Sequence, residues 1–228
     1  AGVLGLGVFL AWETSASSPL LDLRLFRENP VFVYSNLAAL VNYSATFGVP
    51  FLLSLYLQFI RGLAVEAAGL ILVVQPAVQS LISPLAGWLS DRIEPRIIAS
   101  VGMALVASGL FALTTLADTT PVGLLLALLA LLGLGFALFS SPNTNAVMAA
   151  VEPRVYGTAS GILGTMRLLG QMLSMTLILL IFSLIVGHAQ LTPTLYPLFL
   201  KSARVAFGAF AVLCTAGVFA SLRRGNVR

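Results

Sequence analysis

Apolar residues in this chain neither alternate with polar ones, as in a half-buried strand, nor keep to one stripe of a helix. They run on. Six stretches, approximately 31–60, 67–90, 97–116, 122–150, 158–187 and 202–222, are each long enough to cross a bilayer as a helix. About 30 Å of hydrocarbon needs about 20 residues at ~1.5 Å each. The first, fourth and fifth stretches exceed that and must tilt, bend or protrude. Pro50, Pro76 and Pro84 fall inside the first two and predict bends. Membrane helices tolerate such prolines when neighbours satisfy the freed carbonyls.

The chain opens on a shorter run, AGVLGLGVFLAW, twelve residues before Glu13. It is too short to span and lacks the basic leader of a signal peptide. It reads as the end of a truncated transmembrane helix. The expected organisation is that helix end at 1–12, a cytoplasmic or interfacial connection at 13–30, a six-helix bundle at 31–222 and a tail at 223–228. The connection 188–201, HAQLTPTLYPLFLK, carries two prolines and a tyrosine suited to a headgroup layer.

Composition makes the bilayer the natural solvent. The 228 residues are 59% hydrophobic and 9% charged, against about 45–50% and about 25% in a soluble domain. The fold class is therefore all-α integral membrane, with lipid as the first partner. Net charge is +4, but the basic residues are scattered between apolar runs, not gathered on a stripe, which argues against nucleic acid. Cys214 is the one cysteine; it forms no disulfide within the chain and reads as a small hydrophobe. His188 is the one histidine and has no metal-ligand partner near it in sequence, so no metal site is expected. No nucleotide-binding, zinc-protease or serine-hydrolase motif occurs, which argues against an enzyme.

Charge also orients the chain. Alternate connections carry Arg24, Arg27, Arg92, Arg96, Arg154, Arg223, Arg224 and Arg228, eight of the 12 basic residues. The opposite connections carry only Arg61 and Lys201, while Arg167 and Arg204 lie inside spans. The positive-inside bias places residues 87–96 and the C-terminus in the cytoplasm of a cell or inner membrane.

Those residues, GWLSDRIEPR, hold Asp91, Arg92, Glu94 and Arg96 within one turn between the second and third spans. Asp91 is suited to cap the next helix or face its positive end, and the arginines to pair with carboxylates or lipid phosphates. The pattern resembles the loop motif of the major facilitator superfamily, matched here at Gly87, Leu89, Asp91, Arg92 and Arg96. Glu94 replaces the usual glycine, as suits the weaker second-half copy of the motif. PLLDLRLFRENPVF (19–32), GLGFALFSSPNTNAVM (133–148) and GTASGILGTMRLLG (157–170) are similar to segments of the fourteen-helix drug:proton antiporter branch. The resemblance implies the C-terminal half of a proton-coupled multidrug exporter working by alternating access. It implies a charge latch at the turn, a small lipophilic substrate, the N-terminal half as partner, and no cofactor beyond a proton gradient. A same-fold transporter of a sugar, peptide, siderophore or metabolite is the alternative.

Polar residues inside the spans are the candidate substrate cavity: Asn36, Asn42, Tyr43, Gln75, Gln79, Asn143, Asn145, Arg167 and Gln171. Interhelical hydrogen bonding is the competing reading for each, and snorkelling to the headgroups the competing reading for Arg167. Gly157, Gly161 and Gly164 in the fifth span, and Gly133 and Ala137 in the fourth, are spaced for close helix packing. No carboxylate lies deep in any span. A proton-exchanging group is thus expected outside residues 1–228.

Overall fold

The computed structural model describes residues 29–187 and 193–223. The expected elements at 1–12 and 13–28, residues 188–192 with His188, and the tail from Arg224 lie outside the described residues.

Every described element is helical. The first span comprises α1 (Pro30–Thr46), α2 (Gly48–Leu55) and a π-helical turn at Tyr56–Ile60. The second comprises α3 (Val65–Leu72) and α4 (Val74–Ser90). Then follow α5 (Pro95–Leu113), α6 (Val122–Ala149), α7 (Tyr156–Ile185) and α8 (Tyr196–Arg223). These make 6 spans long and apolar enough to cross a membrane, so the chain is a multi-pass membrane protein.

Two of the three expected proline bends are visible. Pro50 has no N–H for the carbonyl of Thr46, and Pro76 none for that of Leu72. The first span breaks at Phe47 and the second at Val73. At the first break the Gly48 amide donates to Ser174 Oγ of α7 at 2.9 Å. Pro84 sits inside α4 without interrupting it. The last span starts earlier than expected, at Tyr196 instead of 202. Proline is tolerated in a first turn, where its missing N–H has no intrahelical partner anyway. Pro197 therefore belongs to the helix and not to a loop.

α6 packs between α4 and α5, α8 between α5 and α1, and α7 against α1. Lipid tails are as apolar as leucine, so close packing, not burial from water, selects these pairs. α5 and α6 cross at two glycines. A Cβ on Gly102 would stand 2.6 Å from the Gly135 carbonyl oxygen. Gly133 lies against the Gln75 carbonyl of α4, and Ala137 is fully buried. Gly157, Gly161 and Gly164 depart from the close-packing expectation: a Cβ there would meet nothing within 4 Å. They lie along a face of α7 that no other described helix covers. The second and fifth spans are the least enclosed, with 6% and 17% of their apolar windows buried against 56% for the first and third.

At the end away from the 87–96 turn, the connection after α5 is clasped by three side chains. Tyr56 Oη donates to the Ala117 carbonyl at 2.6 Å, Arg61 to that of Asp118 at 2.7 Å, and Arg204 Nε to that of Leu116 at 2.6 Å.

Candidate functional site

A cavity of about 360 Å³ opens between the first, second, fourth and fifth spans. Its lining is Tyr43, Thr46, Phe47, Pro50, Phe51, Gln75, Gln79, Phe136 and Met175. Each of these residues lies near the middle of its span. Tyr43, Phe47 and Phe51 recur every four residues, so one helix face presents three aromatic rings. Tyr43 meets Phe136 edge to face, with ring centroids 5.3 Å apart, a favoured aromatic geometry. The Oε1 atom of Gln75 is buried with no hydrogen-bond partner. The lining thus offers flat apolar faces with two amides and a phenol, and no charge.

The nine candidate residues divide between levels. Tyr43, Gln75 and Gln79 line the cavity. Asn143 and Asn145 do not: Asn143 Nδ2 donates to the Ser35 carbonyl of α1 at 3.1 Å, and Asn145 Nδ2 to Ser90 Oγ at 2.6 Å. Asn36 is buried and donates to the Phe32 carbonyl of its own helix at 2.9 Å. Asn143 and Asn145 thus bond across helices on the turn side of the cavity, whereas the bond of Asn36 stays within its own helix and its Oδ1 is buried with no partner. Asn42 is fully buried with neither amide atom bonded. Arg167 donates to Thr144 Oγ1 at 2.7 Å and lies 5.7 Å from the Tyr43 ring centroid. Gln171 follows one turn later on α7.

Sequence reasoning passed over Phe47, Phe51, Phe136 and Met175. The four-residue recurrence from Tyr43 marks the first two. Phe136 sits in a run of apolar neighbours and Met175 between Ser174 and Thr176, and neither stands out as a polar group in an apolar span.

The charged turn docks on α6. Ser90 Oγ donates to the Gly87 carbonyl at 2.7 Å and accepts from Asn145, and a Cβ on Gly87 would lie 3.2 Å from Ser141 Oγ. Asp91 stands at the C-terminal end of α4, and Glu94, not Asp91, takes the N-cap position of α5. Pro95 fills the first helical position, so the residue before it, Glu94, becomes the N-cap. The Arg92 guanidinium lies 4.0 Å from the Trp88 ring centroid. Arg96 is in the first turn of α5. Among the described residues, no cluster of His, Cys, Asp or Glu is placed to hold a metal. Cys214 is buried and donates to the Met103 carbonyl at 3.3 Å.

Six apolar spans, four of them walling an uncharged, aromatic-lined cavity midway along their length, define a multi-pass membrane protein with room for a small solute. The chain belongs to the Major Facilitator Superfamily, whose profile matches residues 35–226; members of that family are transporters and not enzymes. It is 32% identical over 169 residues to the riboflavin transporter RibZ of Clostridioides difficile, covering 73% of this chain and 37% of that protein. It is 31% identical over 167 residues to the multidrug resistance protein Stp of Mycobacterium tuberculosis, covering 73% and 31%. A bacterial homolog of the human lysosomal transporter Spinster shares the fold, with a TM-score of 0.67 at 18% identity, covering 89% of this chain and 49% of that one. The chain spans about a third of the length of these curated relatives.

Proposed function

We propose that this chain is the second half of a secondary active transporter that moves small aromatic, lipophilic solutes by alternating access, driven by a proton gradient as in multidrug exporters. The observation that carries this is the cavity itself. Tyr43, Phe47, Phe51 and Phe136 offer stacking faces, and Gln75 keeps an acceptor open for a solute donor. Its place midway along the spans, between the two least enclosed helices, is where such transporters hold solute against an opposing half. The test is efflux of ethidium, a flat lipophilic cation, from proteoliposomes of the full-length protein under an imposed proton gradient. Phe136→Ala should slow it about tenfold, ~1.4 kcal/mol of barrier. Gradient-driven movement of a neutral or anionic heteroaromatic but not of ethidium would select the same fold with another solute. Movement of neither ends the proposal.

The Arg distribution supports a cytoplasmic location for the 87–96 turn and the C-terminus, in a cell or inner membrane. Cysteines introduced at Ile93 and Thr119, both exposed, should react with impermeant maleimide from opposite sides; reaction of both from outside overturns the orientation. Gly87, Asp91, Arg92 and Arg96 then act as a latch for one conformational state. Asp91→Asn in the full-length transporter should cut transport about tenfold with insertion intact, whereas unchanged transport reduces the turn to a topology signal.

A further inference from the structure

Arg167 is eleven residues into α7, about 17 Å along the helix axis. Its guanidinium holds a full positive charge and offers five N–H donors. One nitrogen donates to a neutral hydroxyl, Thr144 Oγ1, at 2.7 Å, while Nε is buried with no acceptor. The Tyr43 ring, 5.7 Å away, supplies a negative face but not a counter-charge.

No counter-charge is supplied from the described spans. Among the described residues the carboxylates are Glu66 in the first turn of α3, Asp91 and Glu94 in the charged turn, Asp118 after α5, and Glu152 after α6. Each is at a helix end or in a connection. Glu152 pairs with Arg154 at 2.7 Å, and both side chains are exposed. Charges inside membrane spans pair with one another or face a polar cavity, because the low dielectric penalises them otherwise.

Arg167 stands on the turn side of the cavity, next to its lining residue Tyr43. Arg167, Gln171 and Met175 follow at steps of four along α7 and share one side of it; Met175 lines the cavity, as does Tyr43. The lining carries no charge of its own, so the field of Arg167 enters from the turn side without opposition.

We infer that Arg167 receives an anionic group, a carboxylate or similar oxyanion, at the turn-side edge of the cavity. The anion comes either from the bound solute or from the remainder of the transporter. The first source rests on the transporter reading above; the field of the arginine does not.

The test reads that field directly. The full-length protein, otherwise free of cysteine, carries Met175→Cys, with Phe47→Cys at the exposed end of the same cavity as a second reporter. The rates of the anionic sulfonatoethyl and cationic trimethylammonioethyl methanethiosulfonates are each divided by that of the neutral methyl reagent and referred to a free thiol. At about 12 Å and an effective dielectric of about 20, one charge changes such a rate about tenfold. An anionic-to-cationic ratio raised at least tenfold, lost in Arg167→Gln and kept in Arg167→Lys, assigns the anion to the solute. A ratio at the free-thiol value that falls at least tenfold in Arg167→Gln assigns it to the protein, since removing the arginine uncovers its partner. The same ratio in all three proteins overturns the inference and leaves Arg167 neutralised by headgroups or water. The unchanged neutral-reagent rate confirms that the variants fold. Because no rate depends on solute movement, a protein that transports nothing still gives one of these answers, and the failure of the two readings is told apart.

Discussion

Residues 1–228 alone will insert as a helical bundle and move no solute across a bilayer. The cavity is walled on four sides by the first, second, fourth and fifth spans, yet the second and fifth are the least enclosed of the six. Phe47 and Phe51 in its lining stay 41% and 40% exposed. The site is therefore open along the side that these residues leave bare. Alternating access needs two bodies that rock about a shared site, and a single body cannot seal it from both faces in turn. Reconstitution with ethidium under a proton gradient should give no accumulation with this chain alone. Co-expression with the remaining part of the protein should restore it fully. Accumulation by residues 1–228 alone would mean that the half-transporter reading is wrong, or that two copies complete the site.

Leucine at Gly102 will separate α5 from α6. Its Cβ would come within 2.6 Å of both the Gly135 carbonyl oxygen and the Phe139 amide nitrogen. These are backbone atoms of a long helix and cannot rotate away. Overpacking a close contact costs about 1–3 kcal/mol, occasionally more, and here it falls on one of the two helix crossings, with α6 and with α8, that hold α5 in the bundle. The apparent melting temperature of the detergent-solubilised chain should drop and its folded yield fall. Gly161→Leu is the control, because nothing lies within 4 Å of a Cβ there. Equal damage from both substitutions would show that helix propensity, not the crossing, sets the cost.

That pair of glycines also marks what the sequence could and could not disclose. The spans were legible because membrane thickness imposes a length on every apolar run, and the bends at Phe47 and Val73 were legible because Pro50 and Pro76 remove a donor. Which glycines touch was not. Gly161 and Gly102 sit in similar apolar surroundings, and only the arrangement of neighbours separates an open face from a crossing. The same limit governs the site. Tyr43, Gln75 and Gln79 stand out as polar groups in oil and do line the cavity, but Asn143 and Asn145 stand out equally and bond to neighbouring helices. Polarity marks a side chain that needs a partner without saying whether that partner is protein or solute. Phe136 is part of the wall by position alone.

The clasp around the connection after α5 distributes evolutionary freedom unevenly. Tyr56, Arg61 and Arg204 grip the carbonyls of Ala117, Asp118 and Leu116, and a carbonyl is common to every amino acid. Residues 117 and 118 can drift in identity while the grip persists, because what is held there carries no side-chain information. Selection on this end of the molecule therefore falls on three residues distant in sequence from the segment they hold and on Thr120 within it, whose hydroxyl accepts from the Ala117 amide at 2.8 Å, so variability at 117 and 118 among related chains is compatible with a fixed shape.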